Sequence, residues 1–273
     1  MTTLHTDLPV ICISDIHGCI NTLIRLLGKI RVQSQIVFGG DLIDRGPNSR
    51  AVVELAMKHG IPTVMGNHES LALAFYNRDA KCAEMYAHGV WLDNGGDEAV
   101  RNWPIIDKRH LDSPTKRIER ERDRHLGGRA PEDVLDWMEG LPPYLYPSNQ
   151  LDENGRRLMV SHTGYGLNAD HEEWFQTLWG RHRSGDGPFS RDPATGNERD
   201  DGLFRVFGHT PEKEVAITPS YAMIDTGAAY VKRGYGVLSA FVWPSKSVIT
   251  QVYDETTVTQ QFTISAGGIL NPA

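Results

Sequence analysis

Residues 9–69 read PVICISDIHGCINTLIRLLGKIRVQSQIVFGGDLIDRGPNSRAVVELAMKHGIPTVMGNHE, and two patterns alternate along them. Short apolar runs at 9–14, 35–39 and 61–65 have the length of buried strands. Between the first two, Ile20, Leu23, Ile24, Leu27 and Ile30 recur at helical spacing. Between the next two, Pro47 and Asn48 open a second helix, Val52, Val53, Leu55 and Ala56 form its apolar side, and Gly60 follows its end. Strand and helix in alternation give a β-α-β-α-β unit and a buried sheet with parallel strands. In such sheets functional groups collect beyond the carboxyl ends of the strands. The polar clusters of this chain stand at those ends.

Further along, residues 86–140 read as helical or irregular, with a helix that begins at Pro131 and stops at Gly140. Residues 108–129 hold eight Lys/Arg and four Asp/Glu, mixed and without interleaved aromatics, which reads as a solvated face. The last part is rich in strands, at 144–146, 157–161, 204–207, 222–225, 236–243, 248–253 and 258–264. VITQVY and TVTQQFTI alternate apolar with polar, as antiparallel strands with one wet face do. Residues 183–201, rich in Gly, Pro, Asp and Arg, read as a long loop. Neither an internal repeat nor a linker divides residues 1–273, which read as a single domain of α/β class.

Five clusters carry ligand-type side chains. Asp15 and His17 stand two apart, on one side of an extended segment. Gly40–Gly46 supplies Asp41, Asp44 and Arg45, and the third cluster supplies Asn67, His68 and Glu69. His162 ends RLMVS, and Gly208-His209-Thr210-Pro211 ends FRVF. Each follows an expected strand, so all can meet at one edge of a sheet. Asp, His and Asn without thiolates suit divalent ions such as Mn, Fe or Zn. One carboxylate can bridge two such ions, which clamp a phosphoryl group and acidify a bridging water for in-line attack.

Composition excludes other classes. The 40% apolar and 23% charged residues rule out a disordered chain, and no apolar run approaches a membrane span. A net charge of −7 argues against nucleic acid as partner. Three cysteines without a Cys-x-x-Cys pair argue against a disulfide framework, and with an N-terminus unlike a signal peptide they lead us to expect a cytoplasmic protein. Cys19 reads as core filler, and Trp91, like the other tryptophans, as core packing.

The succession D-x-H-G, G-D-x-x-D-R-G, G-N-H-E, a lone S-H and G-H-T-P resembles the calcineurin-like metallophosphoesterases, and within them the PPP-type serine/threonine protein phosphatases of bacteria and phages. WLDNGG (91–96) and MIDTGA (223–228) match the same branch. The resemblance implies two mixed β-sheets packed face to face, with helices outside each. It implies that Asp15 and His17 hold a first divalent ion, that Asp41 bridges, and that Asn67, His162 and His209 complete a second site. The ions would be Mn, with Fe, Zn or Ni as alternatives. His68 would be the general acid, with Asp44 behind it favouring its protonated form, and Asn67, Arg45 and Arg181 would meet the phosphate. Met65 stands where the protein phosphatases usually carry an arginine before G-N-H-E. The loop 183–201 follows Arg181 and is expected to overhang the site.

The function expected is hydrolysis of phosphoserine and phosphothreonine monoesters, with a phosphorylated protein or peptide as partner, no nucleic acid, no membrane, and a monomeric enzyme. A symmetrical dinucleoside tetraphosphatase is the alternative. A non-catalytic scaffold that binds phosphorylated partners should have lost a ligand or the acid, and here all are present.

Overall fold

The computed structural model describes residues 7–76, 78, 89–103, 130–164 and 202–273. Strand β1 (Val10–Ile13) leads to helix α1 (Ile20–Leu27), β2 (Ser34–Phe38), α2 (Ser49–His59) and α3 (Asn67–Phe75). Short helical segments over 89–102 and the helix Glu132–Glu139 follow. Then come β3 (Tyr144–Leu145), β4 (Arg157–Ser161), β5 (Leu203–Phe207), β6 (Ala216–Ile217), β7 (Tyr221–Met223), β8 (Val237–Trp243), β9 (Ser247–Val252), β10 (Phe262–Ser265) and β11 (Ile269–Pro272). Among the described residues, no helix is long and apolar enough to cross a membrane.

Local chemistry accounts for the helix ends. The Asn48 side chain accepts from the Ala51 N–H at 3.1 Å and caps α2, and Gly60 ends it in the left-handed region (φ 59°). Helix α1 is capped from far away: the Glu255 carboxylate accepts from the N–H groups of Asn21 (3.1 Å) and Thr22 (2.9 Å).

Two mixed sheets result, of order β10-β11-β2-β1-β8-β9 and β3-β4-β5-β7-β6. Side chains alternate across β1 and β2. Ile11, Ile13, Ile36 and Phe38 join the cluster built with the helices, while Val10, Cys12 and Val37 face the second sheet. There they meet Leu158, Val160, Phe204, Val206 and Ala222, together with Phe241 and Trp243 of β8. Phe204 stacks on Phe241 with ring centroids 5.6 Å apart. Each such ring removed from water contributes about 2–3 kcal/mol. The sheets therefore pack face to face, as the resemblance implied.

Several expectations need correction. Residues 61–65 make no strand; Thr63 forms a single parallel bridge with Phe38, and Gly66 turns the chain at once into α3. Strands β6 and β11 were not anticipated, and β10 begins only at Phe262. Met65 is buried in the core and donates its backbone N–H to Pro142, so its side chain belongs to packing. Residues 108–129, Arg181 and the loop 183–201 lie outside the described residues.

Candidate metal centre

Strands β1 and β2 run parallel, as do β4, β5 and β7, so the segments after their carboxyl ends come together. Asp15, His17, Asp41, Asp44, Asn67, His68 and His162 are all buried there. Asp41 stands in the middle. Its Oδ2 is 3.6 Å from His17 Nε2 and 3.8 Å from His68 Nε2, and its Oδ1 is 3.3 Å from His162 Nε2. Two groups could each hold an ion: His17, Asp41 and His68, and Asp41, His162 and His209, with ligand atoms within 4.8 Å of one another. One carboxylate thus faces both groups with different oxygens.

Tautomers decide what these atoms offer. His17 Nδ1 donates to the Ile43 carbonyl at 2.7 Å, and His162 Nδ1 to that of Gly39 at 3.0 Å. In each ring the Nε2 lone pair is left facing the cluster. Arg45, which can only donate, hydrogen-bonds to His17 Nε2. Burial, with Arg45, holds His17 well below the usual imidazole range, so it is neutral. His162 Nε2 and Asp41 Oδ1 face one another at 3.3 Å, a placement that suits two ligands of one divalent cation. Burial raises the affinity of Asp41 for protons, and Asp15 and Glu69 add to it. Donor set and charge both fit metal ions.

Asp15 sits less centrally. Its Oδ2 accepts from Ser14 Oγ (2.5 Å) and from the His209 backbone N–H (3.0 Å). Asn67 Oδ1 is 2.9 Å from both His162 Nε2 and His209 Nδ1.

His68 Nδ1 lies 2.5 Å from Asp44 Oδ2. Burial, then Arg45 and the neighbouring imidazoles, hold His68 well below its usual range. Burial raises Asp44 well above its own, against the hydrogen bond from Trp91 and the charge of Arg45. The expectation that Asp44 favours the charged ring is thus opposed by desolvation. Neutral pair and ion pair differ only in where one proton sits along the short hydrogen bond. His68 Nε2 keeps a proton in both, so the pair can donate from Nε2 without a buried charge at rest.

Trp91 Nε1 donates to the same Asp44 oxygen at 2.7 Å. Read from sequence as core packing, Trp91 is buried and also fixes this carboxylate. Trp91→Phe keeps the ring and removes the donor. We expect turnover of alkyl phosphates to fall about tenfold, as loss of a hydrogen bond to a buried acid predicts, with metal content unchanged. Steady-state kinetics beside elemental analysis checks both, and unchanged turnover would dismiss the role.

The calcineurin-like phosphoesterase profile matches residues 8–222. The chain belongs to this family. These phosphoesterases use a dinuclear metal centre, and the His and Asp groups for it are present. Relatives divide by substrate. Serine/threonine-protein phosphatase 1 of Salmonella typhimurium is 40% identical over 92 residues, 33% of this chain and 39% of that protein. The asymmetrical bis(5'-nucleosyl)-tetraphosphatase PrpE of Oceanobacillus iheyensis is 23% identical over 270 residues, 92% of this chain and 95% of that one. Among solved structures, a putative diadenosine tetraphosphatase has a TM-score of 0.51 at 18% identity, covering 92% of this chain and 97% of its own. A serine/threonine phosphatase of Saccharomyces cerevisiae has 0.50 at 14%, covering 93% and 82%. Both solved structures support the fold.

The site also uses Glu69, which the sequence placed in the third cluster without a role, and Asp225, which it did not single out. The Glu69 carboxylate accepts from the N–H groups of Asp41 (2.9 Å), Leu42 (2.8 Å) and Gly66 (3.1 Å), which pins the Asp41 backbone and opens α3. The motif glycines signalled such crowding: a Cβ on Gly66 would lie 2.3 Å from Asp41 N. Asp225, in the MIDTGA segment, is buried nearby. Asp15, His17, Asp41, Asp44, Arg45 and His209 all have positive φ. Such backbones cost about 1–3 kcal/mol each and persist where surrounding structure holds them, which marks this edge as the functional one.

Proposed function

We propose that this phosphoesterase is a phosphoprotein phosphatase that hydrolyses phosphoserine and phosphothreonine monoesters. Asp15, His17 and Asp41 hold one ion, and Asp41, Asn67, His162 and His209 the other, with Mn as the first choice. When bound, the two ions neutralise phosphoryl oxygens and acidify an attacking water. Arg45 and Asn67 orient the phosphate, with Arg181 as a further cation. His68 delivers the proton from Nε2 to the departing oxygen, and Asp44, braced by Trp91, holds the ring.

The observation that carries this reading is the buried 2.5 Å contact between His68 and Asp44. A serine or threonine oxygen leaves as a strongly basic alkoxide and needs a proton in the transition state. A nucleotide leaving from a phosphoanhydride is stable as an anion and gains little from an acid. A built proton donor therefore favours the monoester. The second reading, a dinucleoside tetraphosphatase, draws support from the nearly full-length similarity to PrpE, named asymmetrical where the sequence suggested the symmetrical type.

A hydrolysis panel with Mn²⁺ separates the two. We expect kcat/KM for phosphoserine and phosphothreonine peptides to exceed that for diadenosine tetraphosphate by about a hundredfold or more, the lower end of what one acid used only for the ester supplies. The opposite order would transfer the assignment to the tetraphosphatase.

A further inference from the structure

A cleft of ≈ 760 Å³ runs from Asp41, Asn67 and His68 to a single 3-10 turn, Val231–Arg233. Lys232 and Arg233 are exposed on that turn and line the same cleft. Among the described residues, no carboxylate pairs with either of them, although Asp93 also stands on the cleft wall. The Tyr230 ring connects the two regions. Arg45 Cζ lies 4.8 Å from its centroid and Arg233 Cζ 4.9 Å, which puts the two guanidinium carbons within about 10 Å of each other. The same ring is 6.4 Å from that of His17.

The turn is held rather than loose. Gly227 O accepts from Tyr230 N (2.8 Å) and Gly236 N (2.9 Å). Gly234 takes the left-handed conformation (φ 77°) that a side chain would disfavour. Lys213 Nζ donates to Gly234 O at 2.6 Å and lies 4.0 Å over the Tyr235 ring. Two cations on a fixed turn are set for an anion with little ordering cost.

We propose that Lys232 and Arg233, with Arg233 stacked on Tyr230, form a second anion subsite that selects phosphopeptides carrying another acidic side chain close to the scissile phosphate. The separation from Arg45 sets the spacing. An extended chain advances about 3.3–3.6 Å per residue, so an Asp, a Glu or a second phosphoserine within three residues of the target reaches the turn. A peptide lacking this second anion forgoes the contact. The proposal rests on the protein-phosphatase reading and adds to it the class of peptide preferred.

The test compares phosphoserine peptides that differ only in Ala, Glu or phosphoserine within three residues of the target, with Mn²⁺ at low salt. In the unaltered protein, acidic peptides should be turned over about fivefold to tenfold better than the alanine peptide, through KM, as expected for exposed ion pairs. The ratio should shrink at high salt. In the Lys232→Ala/Arg233→Ala variant it should fall to near one, and in Lys232→Glu/Arg233→Glu it should invert. A ratio that is the same in protein and variants, with phosphopeptides still hydrolysed, overturns the subsite alone. Hydrolysis of diadenosine tetraphosphate but of no phosphopeptide overturns the protein-phosphatase reading itself.

Discussion

Replacing Asp41 should remove both metal ions at once, not one. Its Oδ2 faces His17 and its Oδ1 faces His162, so it is the side chain common to the two ligand groups. Alanine at His17 or His209 should each cost one ion. Asn at Asp41 keeps an oxygen for the His68 backbone N–H, which donates to Oδ1 at 3.1 Å, and so preserves the entry into α3. It removes the negative charge that would hold two dications together. Asp41→Asn should therefore lower metal content from two per chain toward none and reduce turnover by about a thousandfold or more, since the ions supply several kcal/mol of transition-state stabilisation. Elemental analysis of purified variants checks the stoichiometry, and circular dichroism checks the fold. One retained ion in Asp41→Asn would show that the bridge is not shared.

The second large effect concerns His68 and depends on the leaving group. His68→Ala removes the ring that bonds to Asp44 but keeps the backbone N–H on Asp41. Metal content should stay at two. Alkyl phosphates, phosphoserine among them, should lose about 10²–10⁴ in kcat, the range of general acid catalysis. An aryl ester such as 4-nitrophenyl phosphate, whose leaving group departs without a proton, should lose less than about tenfold. Comparing both substrates in one preparation isolates the proton donor from any damage to binding. Equal losses on both esters would assign His68 to structure or to metal holding, which its place beside His17 and Asp41 also permits.

The two halves of the chain were unequally legible. Strands β1, β2, β4, β5 and β8 and helices α1 and α2 could be placed from periodicity because each buries a regular face and ends in turn chemistry. Residues 61–65 looked like a third strand and are not, because an apolar run specifies burial without specifying a pairing partner. Strand β6 was missed because it has only two residues, paired with the adjacent β7, and β11 because it is short and pairs with β2 across more than two hundred residues.

At the site, the sequence determined which side chains are available and that Asp15, His17, Asp41, His162 and His209 follow strands, since Asp-x-His-Gly and Gly-Asp are local patterns with local backbone consequences; Asn67 and His68 instead open α3. Tertiary structure alone decided how they are shared. Only packing the two sheets brings His162 to one oxygen of Asp41, with His209 in the same ligand group, and leaves His17 to the other oxygen. Only packing brings Trp91 to Asp44, Glu255 to the start of α1, and Tyr230 between the concerns of Arg45 and Arg233. The reason is physical. Period and turn propensity act over a few residues, whereas an indole becomes a hydrogen-bond donor to a carboxylate forty-seven positions away only when the whole fold has closed around both.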